Sequence, residues 1–138
     1  MSYTSFSGDE FSAFREIQDT RPLNMLNLVK VYKEVEYPDG EMISGLEAYK
    51  RYGRLSFPVF EKLGGKIIWR GEMLFSLIGP SEEKWDFSFI AEYPSIGAFV
   101  SMLKDPDYRE AMKHRQLAVK DSRLIRMAPL SRGKNFSE

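Results

Sequence analysis

The sequence contains no cysteine, one histidine and no long apolar segment. Without cysteine the chain can form neither a disulfide framework nor a thiolate metal site, and we predict no metal. No apolar run approaches the roughly 18 residues of a membrane span. The first residues also lack the basic and apolar regions of a signal peptide. We therefore expect a cytoplasmic protein with no membrane partner.

Charge of one sign is not in excess, because 20 basic side chains balance 20 acidic ones. A uniformly basic surface for nucleic acid is therefore not expected. The 138 residues are 43% hydrophobic and 14% aromatic, which is enough for one domain with a buried core. We divide that domain into an N-terminal helical extension (1–20), a core (22–129) and a flexible polar tail (130–138).

Capping patterns and apolar periodicity predict the elements of this domain. Ser7 with Glu10, and Ser44 with Glu47, have the spacing of capping boxes at helix starts. Pro58 should kink or divide the second of these helices. The sequence Tyr37-Pro38-Asp39-Gly40 predicts a turn. In chain order we predict a helix at 8–18, a strand at 23–32, a helix at 44–63, strands at 66–78 and 85–93, a helix from 95 interrupted at Asp105-Pro106, and a strand at 122–128.

The two strands at 66–78 and 85–93 alternate between an aromatic face and a more polar one. A short turn at 79–82 should join them into an antiparallel hairpin. In this alternation Arg70 and Glu92 fall on the face opposite the aromatic side chains. We expect the aromatic face, including Phe87 and Phe89, to pack against the helices.

After the N-terminal helix, the predicted order is strand, helix, strand, strand, helix, strand. This is the α+β, ferredoxin-like βαββαβ arrangement, in which both helices cover one face of the sheet. The other face carries large apolar side chains such as Leu26, Leu28 and Ile68. Leaving such side chains in water costs about 1.5–3 kcal/mol each. A second copy of the chain is the simplest cover, so we predict a homodimer.

Several stretches of the sequence resemble the domain-of-unknown-function family 1330 over roughly residues 22–128. They are AYKRYG (48–53), GGKIIWRG (64–71), IGP (78–80), WDFSFIAEYPS (85–95) and DPDYREAMKHRQLAVKDSRLI (105–125). The resemblance implies a dimeric α/β barrel, in which two ferredoxin-like units pack their sheets together. It implies no activity, since relatives in that superfamily range from small monooxygenases and isomerases to haem-dependent peroxidases and ligand sensors.

Five residues are candidates for a binding site. Arg70 and Glu92 could hold a small carboxylate or a polar substrate in a cleft on the sheet face, or form a buried ion pair. Asn27 could be a core hydrogen-bonding residue or a ligand contact, and Tyr52 could reach the cleft or serve in packing. His114 could be a general base, a haem ligand or a surface residue.

These candidate residues are compatible with two main alternative functions. The first is a homodimeric protein that binds a small polar or anionic molecule and could be a cofactor-free enzyme. The second is a non-catalytic dimerisation module whose sheet face is wholly used by the partner. Whether the chain is an enzyme stays open. We predict no cofactor, and a haem enzyme is a third, minor option.

Overall fold

The computed structural model describes residues 2–138 and contains four helices and six strands within that range. In chain order these are α1 (Gly8–Glu16), β1 (Leu23–Val31), β2 (Val35–Glu36), β3 (Met42–Ile43), α2 (Gly45–Lys62), β4 (Lys66–Gly71), β5 (Phe87–Tyr93), α3 (Ile96–Lys104), α4 (Pro106–Ala118) and β6 (Val119–Met127). Four strands form an antiparallel sheet in the order β4-β5-β1-β6. This α+β arrangement is the predicted ferredoxin-like fold.

Side-chain caps start the helices where the sequence predicts. The Ser7 hydroxyl accepts a hydrogen bond from the Glu10 amide at 3.1 Å, and the Glu10 carboxylate accepts one from the Ser7 amide at 2.9 Å. The Ser44 hydroxyl accepts a hydrogen bond from the Glu47 amide at 3.0 Å, whereas the Glu47 carboxylate pairs with Arg54, so the predicted capping box of α2 is only half formed. The Asp105 carboxylate accepts hydrogen bonds from the first amides of α4. Each cap satisfies amides that the helix itself cannot pair.

Pro58 does not divide α2, which runs without interruption from Gly45 to Lys62. Of the two predicted effects of Pro58, a kink or a division of the helix, the division was wrong. Proline removes one helical hydrogen bond, but tertiary packing outweighs local propensity where a helix is anchored to a core. Ser56 and Val59 on either side of Pro58 are both buried.

The core lies between the sheet and the helices. Leu23 and Val29 of β1 are its most deeply buried large side chains. Aromatic rings fill the space above them, with Tyr93 packed edge-on against Phe60 and Phe99 at centroid distances of 5.3 and 5.1 Å. Phe87 and Phe89 join this core, which confirms the predicted orientation of their strand.

The N-terminal extension lies against β6 and α3. The Tyr3 amide donates to the Asp121 carboxylate at 2.8 Å, and the Ser122 hydroxyl donates to the Tyr3 carbonyl at 2.8 Å. Phe14 of α1 packs on Phe99 with ring centroids 5.5 Å apart. The segment therefore borders the outer strand of the sheet, where unpaired backbone groups would otherwise face water.

We call the face of the sheet that points away from the helices the open face. Register places Leu26 of β1 beside Ile90 of β5 and Ile125 of β6 on this face. Ile125 is 43% exposed, and Trp69 and Met127 on the same face are each 50% exposed. The open face thus carries partly exposed apolar side chains beside charged ones such as Glu92 and Arg123.

The predicted strand at 66–78 is wrong beyond Gly71, where β4 ends. Residues 72–86, which we call the arm, contain no helix or strand. Their alternating pattern suits a strand, but no strand within residues 2–138 pairs with them, and unpaired backbone does not form a sheet. Four large apolar side chains of the arm are 80–94% exposed: Leu74, Phe75, Leu77 and Ile78.

The small hairpin of β2 and β3 is absent from the predicted elements. Its turn uses the predicted Tyr37-Pro38-Asp39-Gly40 sequence, with the Gly40 amide donating to the Tyr37 carbonyl at 2.8 Å. Gly40 has φ of 91°, a conformation that glycine adopts without steric cost. The turn was foreseen, but strands of two residues are too short for a periodic pattern to predict.

Candidate functional site

An open groove of about 660 Å³ lies between α2 and the edge of the sheet formed by β4. We call it the α2–β4 groove. Its volume is in the range that small-molecule sites occupy. It is lined by Tyr49, Lys50, Gly53, Arg54, Phe57, Arg70 and Phe87.

Arg70 reaches this groove because β4 is irregular. Ile67 lies opposite Ala91, but Trp69 lies opposite Ile90 and Arg70 opposite Phe89, so the register shifts between Ile67 and Trp69. Such a β-bulge reverses the side to which later side chains point. The prediction that Arg70 lies on the face opposite the aromatic side chains was therefore wrong. Arg70 shares a face with Phe89.

The groove combines aromatic surface with positive charge. The Tyr49 and Phe87 rings pack against each other with centroids 4.6 Å apart. Within residues 2–138, neither Arg70 nor Lys50 forms an ion pair, whereas Arg54 pairs with Glu47 at 2.8 Å. Burial raises the pKa of the Tyr49 hydroxyl, which keeps that group protonated. The groove therefore suits a flat apolar molecule that carries a negative charge.

Glu92 is separated from Arg70. It lies on the open face, where its backbone neighbours are Lys66 of β4 and Asn24 of β1. β4 and β5 do pair as predicted, but the bulge leaves Arg70 and Glu92 on opposite faces of the sheet, so the predicted joint site was wrong. Asn24 was not among the predicted site residues. Its side chain is buried, and its Oδ1 accepts no hydrogen bond from the part of the chain that the structure describes.

Asn27 and Tyr52 both make internal hydrogen bonds. The Asn27 side-chain amide donates to the Met25 carbonyl at 3.0 Å. The Tyr52 hydroxyl lies 2.8 Å from the Tyr108 hydroxyl, and burial raises the pKa of Tyr52. Neither residue lines the α2–β4 groove. These contacts fit the roles in packing and core hydrogen bonding that the sequence left open.

His114 belongs to a second polar cluster, on α4 beside the β2–β3 hairpin. Its Nδ1 lies 2.6 Å from the Tyr37 hydroxyl. The Arg51 guanidinium stacks over the Tyr37 ring at 5.0 Å and makes two hydrogen bonds to the Glu41 carboxylate. Burial, and then the Arg51 charge, lowers the pKa of His114 and favours the neutral imidazole. His114 is therefore neither a free surface residue nor a member of the groove.

Residues 2–138 contain neither a cluster of metal ligands nor a helix that could span a membrane. No group of three or more histidine, aspartate or glutamate side chains there is placed to hold a metal ion. None of the described helices combines the length and the hydropathy required to cross a bilayer.

Comparison with known protein families shows to which family the chain belongs. The model of a family described as a domain of unknown function, DUF1330, matches residues 42–127. The chain belongs to the DUF1330 family. The matched region begins at β3 and ends with β6, so it includes α2, β4 and the whole α2–β4 groove.

Solved structures resemble this DUF1330 chain over most of its length. The RPA0582 protein of Rhodopseudomonas palustris, described as of unknown function, is 52% identical, with 96% of this chain and 100% of that chain covered and a TM-score of 0.91. A crystal structure of methylated RPA0582 gives 53% identity, coverage of 96% and 98%, and a TM-score of 0.92.

A more distant match shares the fold alone. SnoaB, a cofactor-independent oxygenase from Streptomyces nogalater, is 12% identical over 83% of this chain and 99% of its own, with a TM-score of 0.53. A protein from Bacteroides fragilis, described as dimeric and ferredoxin-like, gives 12% identity, coverage of 78% and 95%, and a TM-score of 0.50. No curated protein sequence matches this chain.

Proposed function

We propose that this DUF1330 protein is a homodimer that binds a small anionic molecule with an aromatic or other flat apolar part in the α2–β4 groove of each subunit. The observation that carries the proposal is the placement of Arg70 at the aromatic wall of the groove without an acidic partner in residues 2–138. A guanidinium presents a planar fork that matches a carboxylate.

The lining supports binding more strongly than turnover. Histidine and carboxylate side chains, which supply most general bases, do not line the groove in the described structure. The aromatic rings offer surface for a flat ligand, and Lys50 adds a second positive charge at the wall of the groove. Glu92, on the open face, is not part of this proposal.

The open face supports the dimeric part of the proposal. Trp69, Ile125 and Met127 would be withdrawn from water if two open faces met. The ferredoxin-like Bacteroides fragilis protein is described as dimeric, which fits this use of the fold. Two sheets packed in this way would form the barrel that the family resemblance implies.

The test is a binding measurement with a defined probe. Benzoate, with cyclohexanecarboxylate and benzamide as comparisons, should be titrated into the wild-type protein and the Arg70→Ala and Arg70→Lys variants. A charge-assisted hydrogen bond contributes about 1.5–3 kcal/mol, so Arg70→Ala should weaken benzoate binding on the order of 10- to 100-fold. The affinity of Arg70→Lys for benzoate should lie between those of the wild type and Arg70→Ala, because lysine keeps the positive charge but lacks the two-pronged guanidinium.

The matched control is Arg109→Ala, which removes an exposed arginine of α4 that does not line the groove. It should bind benzoate as the wild type does. Equal affinity of the wild type and Arg70→Ala for benzoate would contradict the site. Absence of binding by any of these probes in a stable dimer would favour the non-catalytic dimerisation module.

A further inference from the structure

The arm, residues 72–86, is held at both ends but exposed in between. Gly71 is still paired with Ser88 in the sheet. At the other end the Asp86 amide donates to the Val29 carbonyl at 2.7 Å, and the Asp86 carboxylate accepts from the Val31 amide at 2.8 Å. Between these anchors Leu74, Phe75, Leu77 and Ile78 contact little of their own chain, since they are 80–94% exposed.

The returning end of the arm lies on the open-face side of the sheet. Trp85 packs under the Arg123 guanidinium, 5.3 Å from its ring centroid. Arg123 of β6 is the register partner of Leu28, an open-face residue. The arm therefore leaves the subunit on the side where the proposed second subunit would lie.

The open face supplies part of the apolar area that a stable dimer needs. About 1.5–3 kcal/mol per buried side chain at about 25 cal/mol per Å² corresponds to roughly 60–120 Å² for each large apolar side chain. Trp69, Ile125 and Met127 are half-exposed and so offer at least roughly 100–200 Å² together, to which the partly buried Leu26 and Ile90 add. A standard interface buries about 800 Å² per partner, of which about 57% is apolar, or roughly 450 Å².

The arm adds further apolar area. Its four exposed apolar side chains contribute roughly 200–400 Å², which brings the total to at least roughly 300–600 Å². Contact with a second copy that includes the arm thus reaches the size of a stable interface. A symmetric exchange also covers both arms at once.

We propose that the arm of each subunit crosses to the second copy and packs its apolar segment 74–78 on the open face of that copy. This inference rests on the proposed dimer and adds to it the element that completes the interface. It also explains why an alternating apolar pattern continues past Gly71 although the single chain offers it no neighbouring strand. The pattern is matched by a surface of the partner.

Crosslinking tests the crossing directly, because the chain has no cysteine of its own. A tagged chain with Phe75→Cys and an untagged chain with Ile125→Cys are mixed, unfolded and refolded together, and treated with a short bis-maleimide. The control replaces Phe75→Cys by Met42→Cys, which introduces an exposed thiol on the β2–β3 hairpin. We expect a tagged–untagged product for positions 75 and 125 and none for 42 and 125.

A chain with both Phe75→Cys and Ile125→Cys distinguishes crossing from folding back. Linkage within one chain only would overturn the crossing, because the arm would then cover its own sheet. A dimer by sedimentation equilibrium with no 75–125 product between chains would also overturn the crossing, while the proposed dimer would stand. A monomer at micromolar concentration would overturn both the crossing and the dimer.

A second measurement does not depend on crosslinking geometry. Phe75→Ser should raise the dimer dissociation constant on the order of 100-fold or more, because a symmetric dimer loses two buried rings. Serine at this exposed position leaves the fold of the single chain intact, which circular dichroism can verify. An unchanged dissociation constant would contradict the participation of the arm.

Discussion

The hydroxyl pair formed by Tyr52 of α2 and Tyr108 of α4 allows a sharp prediction about stability. The two oxygens lie 2.8 Å apart, and burial raises the pKa of both groups. Replacing either tyrosine by phenylalanine leaves the ring and its packing in place. It also leaves the other hydroxyl buried without a partner, which costs about 1–3 kcal/mol.

The double variant should therefore be more stable than either single one. Tyr52→Phe and Tyr108→Phe should each lower the free energy of unfolding by about 1–3 kcal/mol. With both hydroxyls removed no unsatisfied group remains, so the double variant should lie within about 1 kcal/mol of the wild type. The coupling energy of this cycle, which is the difference between the loss in the double variant and the sum of the two single losses, should thus be about 2–6 kcal/mol in magnitude, a large share of the 5–15 kcal/mol typical of a domain.

Urea unfolding at one fixed protein concentration measures these differences, since dimerisation would make stability depend on concentration. Tyr93→Phe is the matched control. Its hydroxyl reaches only the Met102 sulfur at 3.9 Å, so its loss should change stability by less than about 1 kcal/mol. If the losses of Tyr52→Phe and Tyr108→Phe simply add in the double variant, the reasoning from the hydrogen bond is refuted.

Two further predictions concern the backbone and pH. Gly45→Ala should lower the melting temperature by several degrees or prevent folding, because a Cβ atom at Gly45 would collide with the Tyr32 carbonyl. A melting temperature equal to that of the wild type would contradict this prediction. Burial and the Arg51 charge lower the pKa of His114 in the folded protein. When the pH is lowered below about 6.5, His114 is therefore protonated more readily in the unfolded chain than in the folded one, and the free energy of unfolding decreases. The urea midpoint of His114→Gln should therefore decrease less than that of the wild type when the pH is lowered from about 7.5 to 5.5. An equal decrease of the midpoint in the two proteins would show the expectation to be wrong.

The elements that sequence predicts correctly depend on interactions between residues close in the chain. Ser7, Ser44 and Asp105 cap helices through hydrogen bonds to amides two or three residues ahead, so a short pattern contains the whole interaction. The same holds for the turn at Gly40. The sheet topology could also be predicted, because the order of the helices and strands along the chain leaves few ways to form one sheet.

The features that sequence did not predict depend on distant partners. In the sequence, Trp69 and Arg70 continue the regular alternation of β4. Only the pairing of β4 with β5 shows the bulge that turns Arg70 towards α2. Likewise, nothing in the residues after Gly71 shows that they lack a neighbouring strand. The candidate site was accordingly predicted with Arg70 included but with the wrong face and the wrong companion, Glu92.

The bulge between Ile67 and Trp69 decides on which side of β4 Arg70 lies. Ile68 is the extra residue, so deleting it would restore regular alternation and still leave Trp69 opposite Ile90 and Arg70 opposite Phe89. A strand of unchanged length without the bulge would instead bring Arg70 opposite Ser88 and turn its side chain to the open face. One unpaired residue in an edge strand thus determines whether a cation belongs to the groove or to the other side of the sheet.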